Sequence, residues 1–262
     1  MADHSTNPQR LDGRVAIITG AAGAIGGSTA SLFLDLGASV VLTDRDDVRL
    51  SEAGQRFDGE HCATIVADSS DEAAMSGVFQ ETLKRFGKLD VVVANAGIEG
   101  TLKPVEDLRL DEFEQVLRVN VIGVWLAIKL ASAAMKKSGG GAIVALSSAA
   151  GAVGFPGMAA YTASKHAVFG LVKTAAIELG PSNIRVNAVA PGPIDNRMMQ
   201  SLADQLGGGD PLGFRSFVEG RVPLGRYGTN EEIAQLIAFL SSDAASYCSG
   251  GLYLADGGYV AA

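Results

Sequence analysis

Cysteine is scarce in this chain: Cys62 and Cys248 are the only two among 262 residues. Two cysteines exclude a disulfide framework and a thiolate metal centre. Histidine is almost as rare, and His4, His61 and His166 lack metal-ligand spacing, so no metal is expected. Basic residues are outnumbered, 21 against 29 acidic ones, for a formal net charge of −8. The positive footprint needed for nucleic acid or an anionic membrane is missing, so neither is expected as a partner. The longest apolar run, Val121–Met135, is broken by Lys129 and is shorter than the ~20 residues of a membrane span. Residues 1–10 are polar, without the hydrophobic segment of a signal peptide, and read as a flexible N-terminal segment. A cytoplasmic protein is the resulting expectation.

What is present is apolar and rich in glycine, 47% hydrophobic with 33 glycines. A sizeable core is therefore available, and many backbone positions call for positive φ or close approach. Short β-branched runs alternate with longer helical patterns, the rhythm of a parallel sheet. Strands are expected at Val15–Thr19, Ser39–Thr43, Ala63–Val66, Leu89–Val93, Ala142–Leu146, Arg185–Ala188 and Gly251–Leu254. Helices are expected near 25–36, 71–86, 111–136, 160–179 and 230–241. The nearly continuous apolar strands imply helices on both faces of the sheet. No repeat or linker divides residues 11–262, which read as a single α/β domain.

Strand Val15–Thr19 runs into Thr19-Gly20-Ala21-Ala22-Gly23-Ala24-Ile25-Gly26-Gly27, and a helical pattern follows. A strand, a glycine-rich turn and a helix present backbone N–H groups and the positive helix end to a pyrophosphate. The plainer alternative is a tight turn. Strand Ser39–Thr43 ends at Asp44, 18 residues after Gly26, near the ~20-residue offset at which a carboxylate binds adenosine-ribose hydroxyls. That carboxylate would repel a 2′-phosphate, so NAD is the expected cofactor and NADP is opposed. Arg45 works in the other direction, because a guanidinium pairs with such a phosphate. As a purely structural residue, Asp44 would cap the segment that follows.

The spacing Thr19-Gly20-x-x-x-Ala24-x-Gly26 resembles the TGxxxGxG turn of the short-chain dehydrogenase/reductase family, with Ala24 where the family has glycine. Further landmarks follow in family order: Asp68, Asn95-Ala96-Gly97, Asn120, Ser148, Tyr161-x-x-x-Lys165 and Pro191-Gly192-Pro193-Ile194. The resemblance runs from about residue 11 to Gly258. It implies a Rossmann-type, doubly wound, seven-stranded parallel sheet, a nicotinamide cofactor, and a homotetramer or dimer. It places Gly20, Gly23, Ala24, Ile25 and Gly26 against the phosphates, Asp44 and Arg45 at the ribose, and Asp68 and Ser69 at the adenine. Asn95, Ala96 and Gly97 would close the far side of the adenosine pocket, and Pro191, Gly192 and Ile194 would border the cofactor. Asn196 stands where the family often has threonine. Without the resemblance, Asp68 reads equally as a strand-end cap and Asn95-Ala96-Gly97 as a turn.

Tyr161 and Lys165 stand four residues apart on a helical segment and share a face. A phenol of pKa ~10 is a poor acid–base at neutral pH, and a nearby cation lowers it, so Lys165 is expected to lower Tyr161. The family's serine lies 13 residues before its tyrosine, which selects Ser148 rather than Ser147 to hold the substrate oxygen. By resemblance Asn120 holds the water of a proton relay ending at Lys165; a buried asparagine satisfying backbone groups is the alternative. The expected reaction is hydride transfer between a nicotinamide and a small secondary alcohol or ketone, with Tyr161 moving the proton. Its pocket is expected between residues 149–158, 99–102 and an irregular lid over 194–222. Ser148, Glu99, Phe155, Met158 and Phe214 are the candidate substrate residues, and their mostly apolar character favours a hydrophobic or cyclic molecule. Glu99 also reads as a solvated loop acid. A 3-oxoacyl-thioester reductase is the enzymatic alternative, although it prefers NADPH and needs a basic patch, of which Lys129, Lys136 and Lys137 are the only sign. A non-catalytic dinucleotide-binding protein is the alternative from another class.

Overall fold

Strand β1 (Val15–Thr19) is buried along its length and pairs in parallel with β2 (Ser39–Asp44) on one side and β4 (Val91–Ala94) on the other. With β3 (Cys62–Val66), β5 (Gly141–Leu146), β6 (Ile184–Pro191) and β7 (Leu252–Ala255), it forms a seven-stranded sheet in the order β3-β2-β1-β4-β5-β6-β7, with every pairing parallel. The chain winds outward from β1 to β3, then crosses back to β4 on the other side of β1. That reversal opens a crevice beyond the carboxyl ends of β1 and β4. The computed structural model describes residues 8–57 and 59–261.

Both sheet faces are covered, as the apolar strands require. On one face, α3 (Glu72–Phe86), α5 (Gly123–Ser138) and α6 (Ala159–Leu179) bury Met75, Val78, Ala127, Met135, Val168 and Val172 against Ile17, Val92 and Ile143. On the other, α1 (Ala24–Asp35) and α9 (Asn230–Ser241) bury Phe33, Ile233 and Ile237 against Ile18, Val40 and Val93. The fold is the Rossmann-type α/β domain expected. Most of the expected flexible segment at the N-terminus, including His4, lies outside the described residues. At its end, Pro8 accepts a backbone hydrogen bond from Ala244 and Arg10 pairs with Asp12.

Several expectations need correction. The helix expected over 111–136 is α4 (Leu110–Leu117) and α5, joined by a π-helical turn over Arg118–Ile122. This continuous helical stretch, Leu110–Ser138, is long and apolar enough to cross a membrane. Its apolar face, including Val124, Leu126, Ile128 and Ala131, instead packs into the domain core. Helix α2 (Asp47–Gly54) was not expected: it is short and polar, and Asp46 caps it by accepting from Arg49 N. Nor is the segment after β6 irregular. It forms α7 (Arg197–Leu206), capped by Asn196, and α8 (Pro211–Glu219), capped by Asp210. Arg215 ties α8 back to Asp195 at 2.9 Å and stacks over Tyr227.

Candidate active site

The turn after β1 is built on close backbone approach. A side chain at Gly20, where φ is +64°, would begin 2.8 Å from Ala96 Cα; at Gly26 it would begin 2.5 Å from the Gly20 carbonyl oxygen. Asn95 fixes this geometry by donating from Nδ2 to the carbonyls of Thr19 and Gly20, at 2.9 and 3.0 Å. The Thr19 hydroxyl accepts in return from the backbone N–H groups of Asn95 and Ala96. Helix α1 begins at Ala24 without a side-chain cap, so its first N–H groups are left for a ligand. Ala24 is exposed there and does not obstruct the turn. This uncapped, glycine-lined helix end suits an anionic diphosphate.

One cavity of about 510 Å³ runs from this turn in both directions. Toward β2 it is lined by Thr43, Asp44, Arg45, Asp46, Arg49, Asp68 and Ser69. The Asp44 carboxylate accepts from Ala22 N and Asp46 N, both at 3.2 Å, which aims it beneath the glycine turn. Arg45 is exposed, and Arg49 donates to the Ala22 carbonyl at 3.0 Å. Partial burial pushes Asp68 upward, but hydrogen bonds from Ser70 N and Oγ, with Arg45 and Arg118 nearby, outweigh it and hold the carboxyl below its ordinary value.

Toward β5 the cavity is lined by Leu146, Ser147, Ser148, Tyr161 and Lys165, with Asn95, Ala96 and Gly97 between the two ends. Pro191, Gly192, Ile194 and Asn196 also border it. Lys165 is buried and donates to the Leu146 carbonyl at 2.8 Å, with its ammonium 5.5 Å from the Tyr161 ring centre. Ser147 donates to the Lys165 carbonyl at 3.0 Å. Ser148 hydrogen-bonds Tyr161, whose hydroxyl also reaches the Met198 sulfur at 3.8 Å. The expected lowering of Tyr161 by Lys165 is corrected here. Burial pushes the phenol up to about 12, the Ser148 hydrogen bond opposes this, and Glu99 adds to it. Burial likewise pushes Lys165 down to about 8.

Asn120 is fully buried in the π-helical turn. Its Nδ2 donates to the Ile98 carbonyl and to Ser164 Oγ, and its Oδ1 accepts from Ile98 N, all at 2.9–3.0 Å. The side chain therefore locks the loop after β4 to α6.

Not every candidate faces the cavity. Phe155 and Met158 join Tyr161, Leu102, Met198 and Leu202 in an apolar cluster at its outer end, and Phe155 stacks on Tyr259 at 5.7 Å. Glu99 lies on the adjoining loop. Phe214 is on α8, packed against the Gly207 turn, away from the cavity lining. Arg49, Arg197, Met198, Met199 and Leu202 also line the cavity, although sequence reasoning passed over them as site residues. The Asn196 cap was the signal that could have revealed α7 and brought its residues forward.

The comparisons with known proteins agree with this architecture. The family model described as "Enoyl-(Acyl carrier protein) reductase" matches residues 20–260. The chain is 40% identical to the cis-4-hydroxycyclohexanecarboxylate dehydrogenase of Sinomonas cyclohexanicum, covering 95% of this chain and 97% of the relative. It is 38% identical to the 3-oxoacyl-(acyl-carrier-protein) reductase of Thermotoga maritima, covering 96% and 99%. Among solved structures, levodione reductase superposes with a TM-score of 0.94 at 36% identity, over 97% of this chain and 100% of that one. NAD+-bound xylitol dehydrogenase gives 0.91 at 36% identity, over 95% and 99%. The chain belongs to the short-chain dehydrogenase/reductase family of oxidoreductases.

Proposed function

We propose that this protein is an NAD(H)-dependent oxidoreductase that interconverts a secondary alcohol and a ketone, acting on a hydrophobic or cyclic substrate. The supporting observation is one continuous cavity that joins Asp44, the uncapped start of α1, and Ser148, Tyr161 and Lys165. Relatives named for cyclic alcohols and ketones, and an NAD+-bound structural neighbour, support the same reading. The Asp44 carboxylate favours NAD by accepting from ribose hydroxyls and repelling a 2′-phosphate.

When bound, the nicotinamide supplies the hydride acceptor or donor. The chain's residues do the rest. Gly20, Gly23, Ala24, Ile25 and Gly26 hold the phosphates, while Arg45, Asp68, Ser69, Asn95, Ala96, Gly97, Pro191, Gly192 and Ile194 border the remainder of the cofactor. Lys165, which lines the cavity, would hold a ribose hydroxyl of the cofactor through its ammonium. Ser148 Oγ donates to the substrate oxygen. In ketone reduction, the high pKa of Tyr161 keeps its proton in place until the developing alkoxide takes it. In alcohol oxidation, Tyr161 accepts that proton, which requires positive charge beside the phenol; Lys165 does not offset the burial of Tyr161 by itself, and an oxidised nicotinamide would supply further positive charge. Asn120 acts by positioning Ile98 and α6. Apolar Ile122, at the end of the π-helical turn, and Trp125 on α5 are exposed and support a homotetramer or dimer, and the cytoplasm is the proposed location.

The second reading is 3-oxoacyl-thioester reduction, supported by the Thermotoga relative and the description of the family model. Asp44 opposes its NADPH preference. The basic cluster on α5 is weakened because Lys129 is paired to Glu72 at 2.6 Å. Titration calorimetry with NADH and NADPH, followed by turnover on cyclic secondary alcohols, decides between the two. Tight NADH binding with turnover of cyclic alcohols is expected; an NADPH preference with acyl-thioester reduction would overturn the proposal. In the same assay Tyr161→Phe is expected to lose about 10²–10⁴-fold in turnover, and near-normal turnover would remove Tyr161 from its role.

A further inference from the structure

Glu99 is the one acidic side chain among residues 95–102, the first part of the loop after β4. It follows Ile98, whose N–H and carbonyl are both held by the Asn120 side chain at 2.9 Å. Beyond it, the Gly100 carbonyl and the Leu102 N–H take the two ends of the Gln205 amide, at 3.5 and 3.1 Å. The loop is therefore pinned on one side to the π-helical turn and on the other to α7. Its neighbourhood is apolar, with Leu102, Phe155, Met158, Met198 and Leu202 clustered round Tyr161. Lys103, the nearest cation along the chain, is paired to Glu112 at 2.8 Å. Glu99 is half-buried and, among the described residues, makes neither a hydrogen bond nor an ion pair. Its charge nevertheless reaches the phenol of Tyr161.

A carboxylate that no donor of the chain engages has both oxygens available to accept from a ligand. Resting on the reading of this site as an alcohol–ketone oxidoreductase, we propose that Glu99 sets the substrate class. It accepts a hydrogen bond from a second hydroxyl, or from an ammonium, on the substrate and excludes substrates that carry a carboxylate. A charge-assisted bond to a second hydroxyl is among the stronger polar contacts. A substrate carboxylate would meet like charge there, and like charges repel.

The test measures kcat/KM for wild type, Glu99→Gln and Glu99→Lys with cyclohexanol, a cyclohexanediol and 4-hydroxycyclohexanecarboxylate in parallel. Wild type is expected to prefer the diol to the carboxylate. That preference should fall roughly tenfold in Glu99→Gln and reverse in Glu99→Lys. A wild-type preference for the carboxylate overturns the proposal. So does a diol-to-carboxylate ratio unchanged in both variants while cyclohexanol is still oxidised, and that result leaves the alcohol dehydrogenase reading standing. Failure of wild type to oxidise any of the three overturns that reading and the proposal with it.

Discussion

Ser147 and Lys165 clasp the end of β5 to α6 in both directions. The Ser147 hydroxyl donates to the Lys165 carbonyl at 3.0 Å, and the Lys165 ammonium donates to the carbonyl of Leu146, next to Ser147, at 2.8 Å. Ser148 and Tyr161 flank this clasp, so their relative position depends on it. Removing the hydroxyl in Ser147→Ala deletes one hydrogen bond to a carbonyl that lies within α6, at a cost of about 0.5–1.5 kcal/mol. The variant is expected to unfold at lower denaturant and to lose roughly tenfold in kcat, as expected when reacting groups are misplaced. Unaltered kcat in a destabilised variant would show that Ser147 braces the fold without aligning the chemistry.

Lys165 also makes the cofactor-free protein's stability depend on pH. Burial lowers it from its ordinary 10.5 to about 8. Between those values the unfolded chain binds the proton and the folded chain does not, so stability rises with pH. Tyr161 acts oppositely: its pKa rises from 10.0 to about 12, so stability falls with pH above 10. The window for Lys165 is therefore pH 8 to 10. Across it, wild type is expected to gain about 2 kcal/mol relative to Lys165→Met in urea unfolding. Parallel stability curves for the two proteins would contradict a buried, depressed Lys165.

These electrostatics were not legible in the sequence, although the residues were. Tyr161 and Lys165 stand out by spacing, but whether the lysine lowers the phenol depends on burial created by β5 and α7, which lie far away in the chain. Strand β1 was legible to the residue because an apolar run ends at a glycine turn, a purely local signal. Helices α7 and α8 were missed because the segment holding Gly207-Gly208-Gly209 read as irregular. Yet Pro211 sits in the first turn of α8, where proline is tolerated, and Asn196 and Asp210 are good N-caps. Phe214 was placed by composition alone, which carries no information about which way α8 turns.

Gly26 and Gly27 make a matched pair for testing the turn. A Cβ at Gly26 would lie 2.5 Å from the Gly20 oxygen and 2.9 Å from Ala21 Cα, both backbone; at Gly27 its nearest neighbour would be 3.7 Å away. Gly26→Ala is therefore expected to cost about 1–3 kcal/mol through overpacking and to weaken NADH binding. Gly27→Ala is expected to lie within about 1 kcal/mol of wild type, as alanine suits a helix. Thermal unfolding and calorimetry on both variants make the comparison. Equal behaviour would mean that the turn relaxes around the added methyl.

The cofactor preference rests on one charge, which Asp44→Asn removes. The two Asp44 oxygens accept one bond each, from Ala22 N and Asp46 N, so the single amide oxygen of asparagine keeps one of them while the other is lost with the charge. Without the carboxylate, the repulsion of a 2′-phosphate disappears, and exposed Arg45 and Arg49 are left to attract it. NADH affinity is expected to fall about tenfold, because a charge-assisted bond to the ribose becomes a neutral one. NADPH affinity is expected to rise by a similar factor. Calorimetric titration of both cofactors against both proteins reads the two changes separately. If NADH weakens while NADPH stays as it was, Asp44 binds the ribose without rejecting the phosphate, and selectivity would have to lie with Arg45 and its neighbours.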